Sequence, residues 1–162
     1  MLMPSPRVVL SASAQSDVDS TLDAAIRVAQ QHLAESSEFD PFALVTDLDG
    51  RLLAADVDLS SLGKHPESDR IADATVNQLH SIATTIRCAA LTVNTRLSEM
   101  KTDAVEVRIE HCEGAALLVF LPYKRPRFGG GIDFGDLRAY PAAPNIWTSG
   151  HLDMTISPGV SP

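Results

Sequence analysis

The sequence predicts an α+β domain, an antiparallel sheet with helices on both faces. Three observations predict it. Two apolar runs flank Asp49-Gly50 in "FALVTDLDGRLLAADVD", as the arms of a hairpin do. Between Ser68 and about Met100 apolar residues recur, at threes and fours after Leu79, as along an amphipathic helix. Val105, Val107 and Ile109 then alternate with Glu106, Arg108 and Glu110, as in a half-buried strand.

The first helix starts near Ser16 or Asp17, either of which can cap it. Val18, Leu22, Ile26, Ala29 and Leu33 form its apolar stripe. It stops at "SSEFDP", because Pro41 disfavours a helical residue before it. In the hairpin, Asp49 and Gly50 suit a two-residue type I′ turn, which needs positive φ at both centres. That turn sets Thr46 against Leu53, Leu44 against Ala55 and Phe42 against Val57. Both faces of the hairpin then carry apolar residues, which calls for a helix on each side.

"DLSSLGKHPES" is a polar loop, and Ser68 with Asp69 opens the second helix. Its apolar positions are Ile71, Leu79, Ile82, Ile86, Ala89, Val93 and Leu97. Some thirty helical residues would reach about 45 Å, more than a small domain needs. The excess suits packing against another copy, with Leu79, Ile82, Ile86, Ala89 and Val93 as the interface. A second hairpin follows, turning near Glu113-Gly114 and returning through the apolar run Ala115 to Leu121.

After Pro122 the composition changes to Pro, Gly and isolated aromatics. The expected layout is therefore a leader over 1–15, a domain over 16–122 and an irregular or docking tail over 123–162. "FGGGIDFGDLRAY" offers at most a short edge segment. Arg125, Arg127, Phe128, Phe134, Tyr140 and Trp147 are the tail's candidate docking residues, since aromatic anchors typify segments that dock, and residues 128–147 are expected to pack on this domain, its dimer mate or a partner. Deletion of 126–162 tests their role.

The 162 residues carry a formal charge of −8, which argues against nucleic acid or an anionic membrane as the partner. No run approaches the length of a membrane span, and "MLMPSPRVVLSASAQS" lacks the apolar core of a signal peptide. Cys88 and Cys112 stand far apart, as two reduced thiols of a cytoplasmic protein would. The five histidines show no metal-ligand spacing, and no cofactor is expected. Asp47 and Asp49 invite comparison with a haloacid-dehalogenase-type phosphatase loop. Arg51 stands where that motif has Thr, and one helix with one hairpin after Gly50 cannot build the parallel core such a loop needs. The sequence thus excludes that reading on architecture.

In this order, "LDAAIRVAQQHLAE", "FALVTDLDGRLLAAD" and "VEVRIEHCEGAALLVFLP" resemble the Roadblock/LC7 family over about residues 20–121. The resemblance implies a profilin-like α-β-β-α-β-β(-β) fold. It also implies homodimers with paired helices and sheets joined edge to edge, and a non-catalytic role as scaffold or regulator of a small Ras-like GTPase. The alternative is a small-molecule or haem sensor, because GAF, PAS and profilin-like domains share the layout. A catalytic reading ranks third, since no acid, base and nucleophile converge in the sequence.

Overall fold

The computed structural model describes residues 9–148. Helix α1 spans Ala12–Glu35, strands β1 and β2 span Phe42–Asp47 and Leu52–Ala54, and helix α2 spans Ser68–Ser81. Three long strands follow: β3 at Ile86–Leu97, β4 at Thr102–His111 and β5 at Ala116–Lys124. Two short strands, β6 at Asp133–Phe134 and β7 at Arg138–Pro141, complete the order. All pair antiparallel in one sheet, in the order β2-β1-β3-β4-β5, with β6 and β7 both alongside β5. The architecture is α+β, with a helix on each face of the sheet.

Helix α1 begins earlier than its apolar stripe predicts. Ser11 is the cap, its hydroxyl accepting the Ala14 N–H at 3.1 Å. Residues 12–15 are therefore helix, and the expected leader is shorter. Val18, Ala25, Ala29 and Leu33 pack on Leu44, Cys88, Ala90, Val105, Val107 and Ile109 to form the main core. Leu33 and Ile109 are almost fully enclosed, and each such side chain contributes about 2–3 kcal/mol. Arg125 closes the other end of α1. Its guanidinium donates to the carbonyls of Leu33 at 2.8 Å and Ser36 at 2.7 Å, where cations suit a helix end.

The long helix expected over 68–100 is overturned. Helix α2 ends at Ser81, and Ile86–Leu97 is the central strand β3. Consequently Leu79, Ile82, Ile86, Ala89 and Val93 form no helical stripe. Leu79, Ile86 and Ala89 are buried together with Ala43 and Val45 beneath α2. Val93 packs with Ala72 and Leu91, and Ile82 sits just past the helix end. The spacing Ile86-Ala89-Val93 satisfies a helix, but Cys88 to Val93 is also an unbroken, mostly apolar run. A strand covered on both faces has that pattern. Thr92, Val93 and Thr95 favour a strand as well.

The first hairpin forms with a register one residue away from the expected one. Leu44 opposes Ala54, Val45 opposes Leu53 and Thr46 opposes Leu52. Its cause is Asp47, whose carboxylate accepts the N–H groups of Asp49 and Arg51, both at 2.9 Å. The Gly50 N–H donates to the Asp47 carbonyl at 3.0 Å, and within the loop only Gly50 has positive φ, at 86°. The result is a three-residue loop with a glycine bulge instead of a two-residue type I′ turn. One residue of slip exchanges the faces on which Leu52 and Leu53 stand.

The tail is also more ordered than its composition suggests. Phe134 joins Tyr123 on the α1 face, and Tyr140 packs edge-on to Phe120 with ring centroids 6.0 Å apart. The chain then crosses the opposite face and seats Ile146 and Trp147 in the core beneath α2. Of the tail's candidate docking residues, Arg125, Phe134, Tyr140 and Trp147 thus contact their own domain. Arg127 and Phe128 stand exposed, Phe128 at 85% of its surface.

Candidate functional site

Four features gather the chemistry-bearing side chains: a polar cluster, a carboxylate under a strap, an open sheet edge and a cleft. The polar cluster joins α1, the start of β3 and the end of β4. Asp17 receives Arg87 Nη2 on Oδ1 at 2.7 Å and His111 Nε2 on Oδ2 at 2.9 Å. The Glu113 N–H donates to His111 Nδ1 at 3.1 Å, so the imidazole proton lies on Nε2. Arg87 Nη1 donates to the Leu48 carbonyl at 3.3 Å, tying the hairpin tip to the cluster. Glu113 in turn accepts the Ser11 hydroxyl at 2.7 Å and its N–H at 3.0 Å.

Burial pushes the Asp17 carboxyl upward, but hydrogen bonds from His111 and Arg87 outweigh it. Its pKa falls below the ordinary 3.8. Beside it, Thr21 Oγ1 donates to the Asp17 carbonyl at 2.7 Å and lies 2.8 Å from Thr46 Oγ1. With its proton already committed, Thr21 accepts from Thr46. Cys88 is enclosed next to them, and burial raises its thiol to about 11. Burial also raises the Cys112 thiol. Neither thiol has the lowered pKa of a reactive cysteine.

An Asp–His pair beside a cysteine resembles a catalytic constellation in composition only. His111 is 3% exposed and both ring nitrogens are engaged. No face of the ring is left for a substrate, so the cluster acts as a cross-link between elements. Nor do Asp47 and Asp49 converge on an open site. The Asp47 carboxylate holds the turn, and the Arg51 N–H is the chief reason its pKa is lowered. Asp47→Asn keeps the Oδ1 acceptor and should leave thermal stability nearly unchanged. Asp47→Ala removes it and should lower the midpoint of chemical denaturation, as loss of a capping acceptor does. Among the described residues no group of three or more His, Cys, Asp or Glu could hold a metal ion.

On the opposite face, Glu110 is a carboxylate only 6% exposed, and its alternation on β4 had suggested a charged outer face. Three consecutive backbone N–H groups satisfy it: Asn145 at 2.9 Å, Ile146 at 3.0 Å and Trp147 at 3.4 Å. His80 Nδ1 donates to the Ile146 carbonyl at 2.7 Å, and Trp147 Nε1 donates to the Ala83 carbonyl at 3.2 Å. No local sequence signal links Glu110 with residues 145–147, thirty-five positions away. The isolated tryptophan was the only hint.

One open edge is β2, and β7 forms an edge at the other end of the sheet. Asp47 N–H donates to the Arg51 carbonyl and Ala55 N–H to the Ala43 carbonyl, both at 2.9 Å. By the alternation of an antiparallel ladder, the N–H and C=O of Leu52 and Ala54 point away from the sheet. Leu52, Leu53 and Leu48 are 43%, 47% and 58% exposed along the same edge. At the other end of the sheet, the β3–β4 turn and β7 enclose a cleft of about 490 Å³ lined by Arg96, Met100, Phe120, Arg138 and Tyr140. Helix α2 covers only β1 and β3, which leaves this part of the sheet open.

No described helix is long and apolar enough to cross a membrane. Compared with known proteins, the chain matches no family model, no curated protein and no solved structure.

Proposed function

We propose that the protein is a non-catalytic dimeric adaptor of Roadblock/LC7-like type. The observation that carries this reading is the β2 edge. It offers unpaired backbone donors and acceptors flanked by three exposed leucines, the feature that natural proteins usually blunt with charge or proline. The order helix, hairpin, helix, strands, with the two helices on opposite faces, supports the finer fold assignment. Of the two contacts that the family resemblance implies, edge pairing is the one this surface suits. The exposed side of α2 is polar, with Asp69, Arg70, Asp73 and Asn77, and of the stripe expected to pair helices only Ile82 is exposed, the other four residues being interior. The partner class we propose is a small Ras-like GTPase, bound without chemistry by this domain.

Light scattering after size exclusion tests the dimer. The wild-type chain should run as a dimer, and Leu53→Lys should run as a folded monomer, because a lysine on an edge strand opposes pairing. A wild-type monomer at working concentration would overturn the proposal. Affinity capture with wild-type and Leu53→Lys chains then asks whether a GTPase is retained.

A second reading rests on the cleft over Phe120. About 490 Å³ accommodates a small ligand, and Arg138, Glu99 and the Asp103-paired Arg96 beside an aromatic pair would suit a polar organic molecule. Co-purifying mass or colour would favour a sensor over an adaptor.

A further inference from the structure

We infer that residues 144–147 are an intramolecular ligand, seated in a groove that recognises short segments carrying an aliphatic residue followed by tryptophan. After Ala142 donates to the Ala116 carbonyl at 3.1 Å, the chain leaves the sheet edge and makes no further strand pairing among the described residues. Pro141 and Pro144 bracket the crossing. Beyond them, the contacts are those of a bound peptide. Ile146, 3% exposed, enters an apolar slot made by Ala43, Val45, Leu79, Ile86 and Ala89. Trp147, partly buried, packs against the same cluster with its indole N–H on the Ala83 carbonyl.

Glu110 supplies the polar half of recognition. Its carboxylate faces three successive backbone N–H groups, and the His80 ring meets the Ile146 carbonyl. Those bonds read the backbone, so any segment with three free N–H groups and no proline in the triplet could satisfy them. The slot and the indole contact supply side-chain selectivity. A carboxylate this enclosed is costly without donors, so the groove favours being filled. Tethering gives the resident segment an effective concentration in the millimolar range, which an incoming segment must overcome. The partner this fits is a protein bearing an exposed aliphatic–Trp segment, which would compete with the strap. This goes beyond the adaptor reading, because the groove lies on the face beneath α2 and does not require the β2 edge.

The test uses the full chain and a fluorescein-labelled, end-blocked peptide, Ala-Pro-Asn-Ile-Trp-Thr. The double variant Ile146→Ala, Trp147→Ala vacates the groove, and anisotropy should show it binding the peptide at least about ten-fold tighter than wild type. Adding Glu110→Gln should abolish the gain, and a peptide with Asp in place of Ile should not bind. A folded double variant that binds no peptide, or binds a scrambled one equally, overturns the inference. Hydrogen exchange on the wild-type chain covers the case of a variant that unfolds. The amides of Asn145, Ile146 and Trp147 should exchange much faster than those of β3. Exchange of all of them only through global unfolding would make the strap a fixed part of the core and overturn the inference. Leu52→Lys, on the same edge strand but on the α1 face of the sheet, should disrupt an edge dimer and leave peptide binding unchanged, so failure of the edge dimer and failure of the groove are read separately.

Discussion

Asp17→Ala should lower stability by about 2–3 kcal/mol at neutral pH, and the melting temperature by about 5–10 °C. The substitution leaves the Arg87 guanidinium without its carboxylate and the His111 Nε2–H without an acceptor. Breaking a buried charge pair usually costs more, but Arg87 retains a third of its side-chain exposure and water recovers part of the loss. Acid supplies an independent check. The folded-state pKa of Asp17 lies below its ordinary 3.8, so its stabilisation is complete above that value and is lost as pH falls through the folded-state pKa. The stability gap between wild type and Asp17→Ala, followed by denaturant melts, should therefore close in acid. A gap that is constant down to pH 2 would show that Asp17 matters only for packing. Asp17→Asn, which keeps one acceptor oxygen, should fall between the two.

Gly50→Val should cost about 2–3 kcal/mol, because a β-branched residue strongly disfavours φ of 86° and Gly50 holds that conformation in the hairpin loop. The strain does not stop at the backbone. A Cβ at this position would lie 3.2 Å from Arg87 Nη2, the nitrogen that bonds Asp17. Gly50→Asn should lose only about 1 kcal/mol, since asparagine tolerates the left-handed region. The shared arginine makes a further expectation. Gly50→Val and Asp17→Ala should be non-additive, with a coupling energy of about 0.5 kcal/mol or more in a double-mutant cycle. Strict additivity would mean that Arg87 moves aside freely and that the hairpin tip is independent of the polar cluster.

Much of the fold was legible in the sequence where the signal is local. Asp49-Gly50 marked a hairpin, the stripe from Val18 to Leu33 marked a helix, and the alternation from Val105 to Ile109 marked a strand. Periodicity failed where burial on both faces erased it. Over residues 88–93 every second residue faces α1 and the others face the α2 side, so apolar residues fill the pattern, and with Ile86 a helical spacing can be drawn through it. The turn failed for a subtler reason. "DG" announces a hairpin, but the Asp47 side chain decides which hairpin, and its two hydrogen bonds select the three-residue loop.

The candidate sites were less legible because they join distant positions. Tail residues such as Trp147 and Phe134 stood out as large apolar groups in a Pro- and Gly-rich stretch, and both pack on their own domain. Arg125 read as a docking charge until the end of α1 was brought beside it. Glu110 read as one member of a solvated stripe, yet it is buried by a segment thirty-five residues away.

By itself, then, the sequence determined which segments turn, which are amphipathic and that the chain builds mixed helix and sheet, because capping, turn chemistry and side-chain period act over a few residues. Tertiary structure alone decided that β3 is the centre of the sheet, that the hairpin's edge is left open and that the carboxylates of Asp17 and Glu110 are enclosed. Those outcomes depend on which surfaces meet. A buried charge finds its donors, and a strand its second face, only after elements far apart in the chain have packed.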